Sequence, residues 1–280
     1  VGDLNHKFGN LFSYIERKEI ENSVIIVAGD CGIGFDKEDF YTVYLKKLNE
    51  DLKEKNVTLL LLRGNHDNPD FFKEERINFS NLKTIPDYSI IEKYEDWDDD
   101  KTFQIEYSIL CVGGAISVDR MDCIAKDIVN FNSLKLMFQG LSNEELLKMN
   151  TKSYFPNETP YFNEQAFDEL KEHYKELNLH FVITHTCPSF APPRDRNSIQ
   201  HFIIKDEDLV DDLKYERKVM DNIYKRLMDD YHIILEWHYG HFHWFNSEVI
   251  KGIHFRLHKD VGYEVDITEI NGDYKPYFKE

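Results

Sequence analysis

The sequence has 280 residues, of which 41% are hydrophobic, and this is enough apolar material to bury the core of one large domain over residues 1–280. Its 34 basic and 52 acidic side chains give a formal net charge of −18, which disfavours a protein that binds polyanions through a basic surface. The four cysteines form no Cys-x-x-Cys pair and no apolar run reaches the roughly 18 residues of a membrane span, so we expect a cytoplasmic protein without thiolate zinc sites.

The first part of the chain is predicted to alternate strands and helices. The chain begins at Val1 inside a predicted strand, without an initiator Met or a signal-peptide pattern, so we expect further residues upstream. Residues 23–30 and 57–65 are nearly continuous apolar runs that end in glycine-containing loops, as expected of strands buried on both faces. Between them, every fourth residue from Phe40 to Leu52 is apolar, which predicts an amphipathic helix.

After residue 80 the pattern changes to a series of strands with fewer helices. Such a series predicts a second sheet, partly antiparallel, that faces the first and is covered outside by helices. The predicted strands cover 88–94, 101–114, 180–185, 232–244, 252–258 and 262–268, and the predicted helices cover 142–149, 162–176 and 206–228. An acidic tract at 94–101 is expected to form a solvated hairpin tip.

Side chains of the kinds that bind metals follow five of the predicted strands. Loops that leave the carboxyl ends of strands are where open α/β sheets collect ligands, so we expect these five segments to converge. The side chains concerned are Asp3, Asp30, Asn65 with His66, His185, and His241 with His243.

The types of these side chains indicate which metal they would bind. Carboxylate, amide and imidazole groups without thiolate suit borderline divalent ions such as Mn²⁺, Fe²⁺ or Zn²⁺. In an extended segment, His241 and His243 would face the same side, because side chains alternate along a strand. The set is large enough for two ions that share a bridging carboxylate, an arrangement that activates a water molecule and binds a phosphoryl group.

Five motifs, in this order, resemble those of the calcineurin-like metallophosphoesterase family. They are GDLNH at 2–6, AGDCG at 28–32, RGNHD at 63–67, ITHT at 183–186 and GHFH at 240–243. The segment GGAISVDR at 113–120 also resembles one found in bacterial and phage members. The resemblance implies a four-layer α/β/β/α sandwich, in which two facing mixed β-sheets are flanked by helices and a dinuclear metal site lies at the rim.

The resemblance also implies how two divalent ions would be held. Asp30 would bridge the ions, a hydroxide between them would be the nucleophile, and His66 would assist the departing oxygen instead of binding metal. The expected ions are Mn²⁺, with Fe, Zn²⁺ or Mg²⁺ as alternatives. The other implied ligands are Asp3 and His243 for a first ion, and Asn65, His185 and His241 for a second.

The sequence departs from the family pattern in the motif around the bridging aspartate. The family has an acidic residue where this chain has Ile33, so the contact that this carboxylate makes in some members is in doubt. Asp67 and Asp119 are candidate substitutes, and we place Asp67 with His66 among the predicted catalytic residues.

A second departure concerns the first metal position. A gapless comparison sets Asn5 against the histidine of the family's Asp-x-His motif, and His6 against a glycine. If the strand continues, residues 3 and 5 share a face, so Asn5 is favoured as a weak amide ligand. The alternative is that the chain turns early and His6 is the displaced ligand. Either choice makes the first metal position the weaker one.

Two arginines are candidates for binding the substrate phosphate. Arg120 and Arg194 could each meet a phosphate through two parallel hydrogen bonds, and Arg196 is a third candidate. Surface arginines also often have no such role, so the sequence alone leaves these assignments open.

The leading functional hypothesis is hydrolysis of a phosphomonoester. The alternatives are a phosphodiesterase or nucleotide hydrolase of the same fold, or a scaffold that has lost catalysis; the presence of His66 favours an enzyme, and the altered Asn5 favours the scaffold. The expected partner is a phosphorylated small molecule, a nucleotide or a phosphoprotein, with no membrane, and long nucleic acid is disfavoured by the acidic charge. The sequence leaves the substrate and the oligomeric state open.

Overall fold

A computed structural model of the chain describes residues 1–37, 39–96, 103–150, 152–173, 178–194, 199–261 and 274–277. Within these residues, no helix combines the length and the apolar content needed to cross a membrane. The predicted strand at 262–268, most of the acidic tract at 94–101, and Arg196 lie outside the described residues.

Among the described residues, the smaller sheet has three parallel strands in the order β1-β2-β3. Their bounds are β1 (Ser23–Val27), β2 (Val57–Leu61) and β3 (Leu82–Thr84). The helices α1 (Phe8–Arg17), α2 (Leu45–Glu54) and α3 (Pro69–Lys73) belong to the same part of the chain. The apolar runs at 23–30 and 57–65 therefore form the two neighbouring parallel strands that they predict.

The larger sheet has seven described strands in the order β10-β4-β5-β6-β7-β9-β8. Its central strands β5, β6, β7 and β9 are parallel, whereas β4, β8 and β10 pair antiparallel with their neighbours. The bounds are β4 (Ser89–Asp96), β5 (Phe103–Val112), β6 (Phe181–Thr184), β7 (Glu236–Tyr239), β8 (Asn246–Ile250), β9 (Ile253–Leu257) and β10 (Tyr274–Tyr277). The second sheet is thus partly antiparallel, as the sequence predicts.

The two sheets pack face to face, and helices cover their outer faces. Side chains from both sheets, such as Leu60 and Ile109, share one buried cluster between the sheets. The outer face of the smaller sheet packs against α1 and α2, and the outer face of the larger sheet packs against α6 (Glu164–His173) and α8 (Leu209–Asp229). The protein is therefore a four-layer α/β/β/α sandwich.

The remaining helices lie in the second half of the chain. The predicted helices at 142–149, 162–176 and 206–228 correspond to α5, α6 and α8, and Ser142 and Glu145 form a capping box at the start of α5. The bounds are α4 (Arg120–Met137), α5 (Asn143–Met149), α6 (Glu164–His173), α7 (Gln200–Ile203) and α8 (Leu209–Asp229).

The sequence did not predict helix α4, and the structure shows why. None of the 18 residues of α4 is buried, so it presents no apolar stripe of helical period to a core. Apolar side chains such as Ile128 and Val129 are 56% and 62% exposed instead.

One local prediction near the start of the chain is wrong, and a second holds with a change of phase. Residues 1–4 do not form a strand, although the Ala28 N–H donates to the Val1 carbonyl (2.8 Å) and the Val261 N–H donates to the Asp3 carbonyl (2.7 Å). The amphipathic helix begins with a π-helical turn, Phe40–Tyr44, before α2. This wider turn shifts the phase of the helix, so Tyr41 and Leu45 are buried in place of Phe40 and Tyr44.

Candidate metal centre

The loops that leave four parallel strands bring metal-type side chains to one edge of the sandwich. Asp30 follows β1, Asn65 follows β2, His185 follows β6, and His241 follows β7. Because parallel strands have their carboxyl ends at the same edge of a sheet, and the two sheets face each other, these loops meet. Asp3 joins them from the N-terminal segment beside β1. The convergence that the sequence predicts is therefore present for these five residues.

His185 lies at the centre of the cluster. Its Nε2 is 2.9 Å from Asn65 Oδ1 and 3.1 Å from Asp30 Oδ1. Its Nδ1 is 2.7 Å from the carbonyl oxygen of Ala28, which can only accept a hydrogen bond. This contact places a proton on Nδ1, and in the neutral imidazole it leaves the Nε2 lone pair directed at the oxygen atoms of the cluster, as in histidines that bind metals.

The two histidines of GHFH reach the cluster by a turn. His241 Nδ1 is 2.8 Å from Asn65 Oδ1, the His241 N–H donates to Asp3 Oδ1 (2.8 Å), and His243 Nδ1 is 3.5 Å from Asp3 Oδ2. Strand β7 ends at Tyr239, and both histidines have positive φ angles, 71° and 57°. The strand alternation expected for this segment is therefore wrong, although both imidazoles still face the site.

Two glycines of the motifs are required by close packing around the carboxylates. A Cβ atom on Gly64 would lie 2.1 Å from Asp30 Oδ1, and one on Gly240 would lie 2.2 Å from Asp3 Oδ1. No side chain fits at those distances, so any larger residue would displace the carboxylate. The glycines of RGNHD and GHFH thus allow the backbone to approach the buried oxygen atoms.

The electrostatics of the cluster are those of a site that lacks positive charge. Burial raises the pKa of Asp3 to about 7, and the neighbouring Asp30 adds to this shift. Burial acts to lower the pKa of His185, but the charges of Asp30 and Asp3 outweigh it and raise the pKa to about 10. Burial likewise acts to raise the pKa of Asp30, but His185 outweighs it, and the pKa falls below its usual value. The buried carboxylates of Asp3 and Asp30 thus favour a positive charge among them.

The donor atoms fit divalent metal ions. Donor atoms of Asp3, Asp30 and His185 all lie within 4.8 Å of one another, and all three side chains are buried. Asp3 Oδ2 and Asp30 Oδ2 are buried without a hydrogen-bond partner among the described residues, which is costly for an oxygen atom that has no cation beside it. Carboxylate, amide and imidazole donors of this kind suit Mn²⁺ and similar ions.

His66 and Asp67 follow the same strand but lie in different surroundings. The His66 N–H donates to Asp30 Oδ1 (2.7 Å), and its half-buried imidazole lines a cavity beside the cluster. Asp67 is fully buried, and its carboxylate accepts backbone N–H groups of Gly64 (2.7 Å), Ile33 (2.8 Å) and Cys31 (3.0 Å). These bonds join the loops after β1 and β2, so the contacts of Asp67 are those of a structural residue.

The missing acidic residue of the second motif has a local explanation. Ile33 is fully buried in the cluster that packs α1 and α2 on the smaller sheet, so its side chain contributes to the core. Asp119, the other candidate substitute, is partly exposed and lines the cavity.

The chain turns immediately after Leu4, which bears on the choice between Asn5 and His6. Both residues have positive φ angles, 48° and 62°, so the strand alternation used to favour Asn5 does not apply. His6 Nδ1 is 3.0 Å from Asp36 Oδ2, and the ring lies against Gly32 in the loop after β1. The Asn5 N–H donates to the Asp30 carbonyl (2.6 Å). His6 is thus held by the loop and not by the cluster.

The predicted phosphate-binding arginines are paired with carboxylates. Arg120 lies 2.5 Å from Asp206 and 2.6 Å from Asp212, and its side chain is only 13% exposed. Arg194 contacts Glu248 at 3.0 Å on the surface. These pairs occupy the guanidinium groups, so the structure gives no support to either residue as a phosphate ligand.

A buried hydrogen-bond network that the sequence did not predict supports the side chain of Asn65. Asn65 Nδ2 donates to Ser117 Oγ (3.0 Å), and Ser117 Oγ donates to Glu158 Oε2 (2.5 Å). The Ser117 N–H also donates to Glu158 Oε1 (2.7 Å). The Ser117 hydroxyl gives its one proton to Glu158 and accepts from Asn65 Nδ2, which turns the Asn65 amide with its oxygen toward His185 and His241.

Arg63 fixes the segment that carries Glu158. Its guanidinium donates to the Glu158 carbonyl (2.8 Å) and to Asp87 Oδ2 (2.7 and 2.9 Å). Gly113 and Gly114 leave room for this side chain, since a Cβ atom on either would lie within 2.6 Å of Arg63 atoms. The only sequence signal for this network was the GGAISVDR segment, because Glu158 lies in a segment without a recognisable motif.

Comparison with known proteins agrees with the motifs. The sequence profile of the calcineurin-like phosphoesterases matches residues 1–245, while a comparison with curated proteins found no significant match. One solved structure, a Staphylococcus aureus protein assigned as a 5′-nucleotidase in complex with α-ketoglutarate, has 14% sequence identity and a TM-score of 0.37. The match covers 91% of this chain and 43% of that chain.

The profile covers all five motifs, from the first aspartate to the last histidine of GHFH. It therefore confirms the resemblance inferred from those motifs, whereas the closer likeness to bacterial and phage members stays a prediction. This chain belongs to the calcineurin-like phosphoesterase family, whose members are metal-dependent phosphoric ester hydrolases.

Proposed function

We propose that the protein is a metal-dependent phosphatase that hydrolyses a phosphomonoester of a small molecule. The observation that carries this proposal is the pair of buried, unpartnered oxygen atoms of Asp3 and Asp30, which lie among histidine and amide donors. The cluster adjoins a cavity that His66 lines, so a phosphate could approach the metals and a proton donor together. The four thiols are free, which agrees with a reducing cytoplasm.

Two divalent ions, for which we propose Mn²⁺, would activate a water molecule and neutralise the charge of the phosphoryl group when bound. Asp30 would bridge the two positions because it contacts His185 and lies next to Asp3. Asp3 and His243 would hold the first ion, with Asn5 as the weak additional ligand. The proposed ligands of the second ion are Asn65, His185 and His241, which contact one another.

His66 would donate a proton to the oxygen atom that leaves. Its backbone N–H donates to Asp30, which fixes the His66 backbone beside the cluster. The imidazole extends from there to the cavity. A histidine is suited to this step because its imidazole can both hold and release a proton.

The shape of the site favours a monoester. The cavity has a volume of about 390 Å³, near the lower end of the range for small-molecule sites, so it suits one organic group beside the phosphate better than two. The dianionic phosphate of a monoester would also match the charge of two divalent cations. The metal ions would have to supply this charge, because Arg120 and Arg194 are already paired with carboxylates.

The proposal is tested by comparing p-nitrophenyl phosphate with bis(p-nitrophenyl) phosphate on metal-free protein supplemented with Mn²⁺. We expect turnover that depends on added metal and a higher kcat/KM for the monoester. Preferential cleavage of the diester would replace the proposal with a phosphodiesterase. A lack of turnover of both compounds, and of nucleotides and phosphopeptides, would favour a scaffold.

Replacement of Asn5 by histidine is expected to strengthen the first metal position. An amide oxygen is a poorer ligand for a borderline metal than an imidazole, so Asn5→His should raise Mn²⁺ and Zn²⁺ affinity there. His6→Ala should matter little, since His6 pairs with Asp36. Metal titration by calorimetry measures both. If His6→Ala instead emptied the first position and Asn5→Ala had no effect, His6 would be the ligand.

Loss of the Ser117 hydroxyl is expected to weaken the second metal position. Ser117→Ala leaves both the Asn65 amide and the Glu158 carboxylate short of a partner, so Mn²⁺ affinity should fall by about 10- to 100-fold. Ser117→Thr keeps the hydroxyl and should retain most of the Mn²⁺ affinity. Ser133→Ala, on the exposed face of α4, is the matched control. Unchanged metal affinity in Ser117→Ala would show that the network does not orient Asn65.

A further inference from the structure

The cavity beside His66 is lined by two kinds of side chain. The polar ones belong to the candidate metal centre, namely Asn65, His66, His241 and His243. The apolar part of the lining consists of Val118 after β5, Ile199 and Phe202 at α7, Leu213 on α8, and Phe242, whose ring centroid is 4.7 Å from that of His241. A substrate whose phosphate met the metal centre would therefore place its organic group against this apolar part.

The apolar part of the lining has a fixed aromatic surface. Arg217 lies over the ring of Phe242, with its guanidinium carbon 4.9 Å from the ring centroid. The same guanidinium donates to the carbonyls of Cys187 (2.9 Å) and Pro193 (3.3 Å), so it is anchored to the loop after β6. Phe242 is thus held in place by a cation on one face, and it needs no rearrangement to receive a flat group.

The charges around the cavity do not favour a second anionic group. Among the described lining residues, Arg217 is the sole arginine or lysine, and its donors face backbone carbonyls, Cys187 Sγ (2.7 Å) and Glu216 (3.9 Å). Asp119 adds a partly exposed carboxylate to the lining. A leaving group with its own phosphate or carboxylate would meet this acid without a free arginine or lysine of the lining to offset the charge.

We propose that this cavity binds the alcohol part of the substrate, and that it selects an uncharged aromatic or apolar group over a small polar or an anionic one. A nucleoside or an aryl-substituted alcohol has this chemistry. The inference rests on the proposed phosphatase function, because it assigns the organic half of the same substrate. Phe202 and Phe242 provide the aromatic contacts, and Val118 and Leu213 provide the aliphatic ones.

The test compares benzyl phosphate with ethyl phosphate, whose alcohols are both poor leaving groups, so that differences report binding of the organic group. For the natural sequence, kcat/KM should favour benzyl phosphate by about 10- to 100-fold, the effect of burying a phenyl-sized group. Phosphoglycolate, whose organic part is an anionic carboxylate, should be a poorer substrate than ethyl phosphate. Benzylphosphonate should inhibit more strongly than ethylphosphonate by a similar factor.

Phe202→Ala should lower the ratio of benzyl to ethyl phosphate kcat/KM by about 5- to 10-fold. Phe138→Ala removes a partly exposed phenylalanine outside the cavity lining and should leave the ratio unchanged. Phe202→Leu, which keeps an apolar side chain, should retain more of the ratio than Phe202→Ala.

Equal kcat/KM values for the two esters, or a ratio that Phe202→Ala and Phe138→Ala change alike, would overturn the inference while leaving the phosphatase function standing. A protein that cleaved none of the monoesters with metal present would instead contradict the proposed function itself.

Discussion

Asp30→Asn is expected to remove both metal ions and nearly all activity. Asp30 is the proposed bridging ligand, and it is buried beside Asp3 and His185, so solvent cannot replace its charge. The amide can still accept the His66 N–H, and the change in volume is small, so the fold should persist. Metal content after equilibration with Mn²⁺, together with turnover of a monoester, measures the effect.

Asp39→Asn is a matched control for this change, because Asp39 lies at the start of the π-helical turn and is exposed. It should keep full metal content and activity. If Asp30→Asn retained two ions and the normal rate, the bridging role would be wrong. If it retained one ion tightly, Asp30 would belong to a single metal position.

His66→Ala is expected to keep the metals and slow the reaction by about 10²- to 10⁴-fold, the usual contribution of a positioned acid or base. The loss should be largest for ethyl phosphate, whose alkoxide needs a proton, and smaller for p-nitrophenyl phosphate, whose phenolate does not. Comparing kcat for both esters, with metal content as a second readout, measures this difference.

His6→Ala is the matched control, since His6 also lies near the centre but contacts Asp36 instead of the cavity. It should leave both rates close to those of the unaltered protein. An equal loss for the two esters in His66→Ala would remove the acid role and leave only stabilisation of charge. A loss of metal in the same variant would make His66 a ligand.

The convergence of the site could be predicted from sequence because parallel strands fix where their following loops meet. Asp30 and Asn65 follow strands with unambiguous apolar runs, and His185 follows another. Their meeting at one edge needed only the direction of the strands. The proposed roles of the individual side chains came from the resemblance of the five motifs to the family. The spacing of the residues along the chain does not indicate these roles.

The local geometry at the ends of the motifs could not be predicted, because it depends on backbone turns. The left-handed conformations of Asn5, His6, His241 and His243 break the strand alternation at the positions where it was applied. Such conformations are set by tertiary contacts, including the close approach of Gly240 to Asp3, and not by the preference of each residue.

Long-range polar contacts also could not be predicted from the sequence. Ser117 and Glu158 meet across 41 positions of the chain, and Glu158 lies outside any helix or strand. Burial decides their role, because a buried carboxylate must find donors, and Ser117 supplies two of them. Helix α4 could not be predicted because none of its residues is buried, so its sequence has no apolar pattern of helical period.

The central claim is that Asp3, Asp30, Asn65, His185, His241 and His243 hold two metal ions close enough to share one carboxylate. Electron paramagnetic resonance of the metal-free protein titrated with Mn²⁺ tests this most directly, with the bound metal counted in the same samples. The account predicts two ions per chain and a spectrum of two exchange-coupled ions, as expected at the roughly 3.5–4 Å separation of two-metal sites. A spectrum of isolated ions at full occupancy, or no tightly bound Mn²⁺, would contradict it.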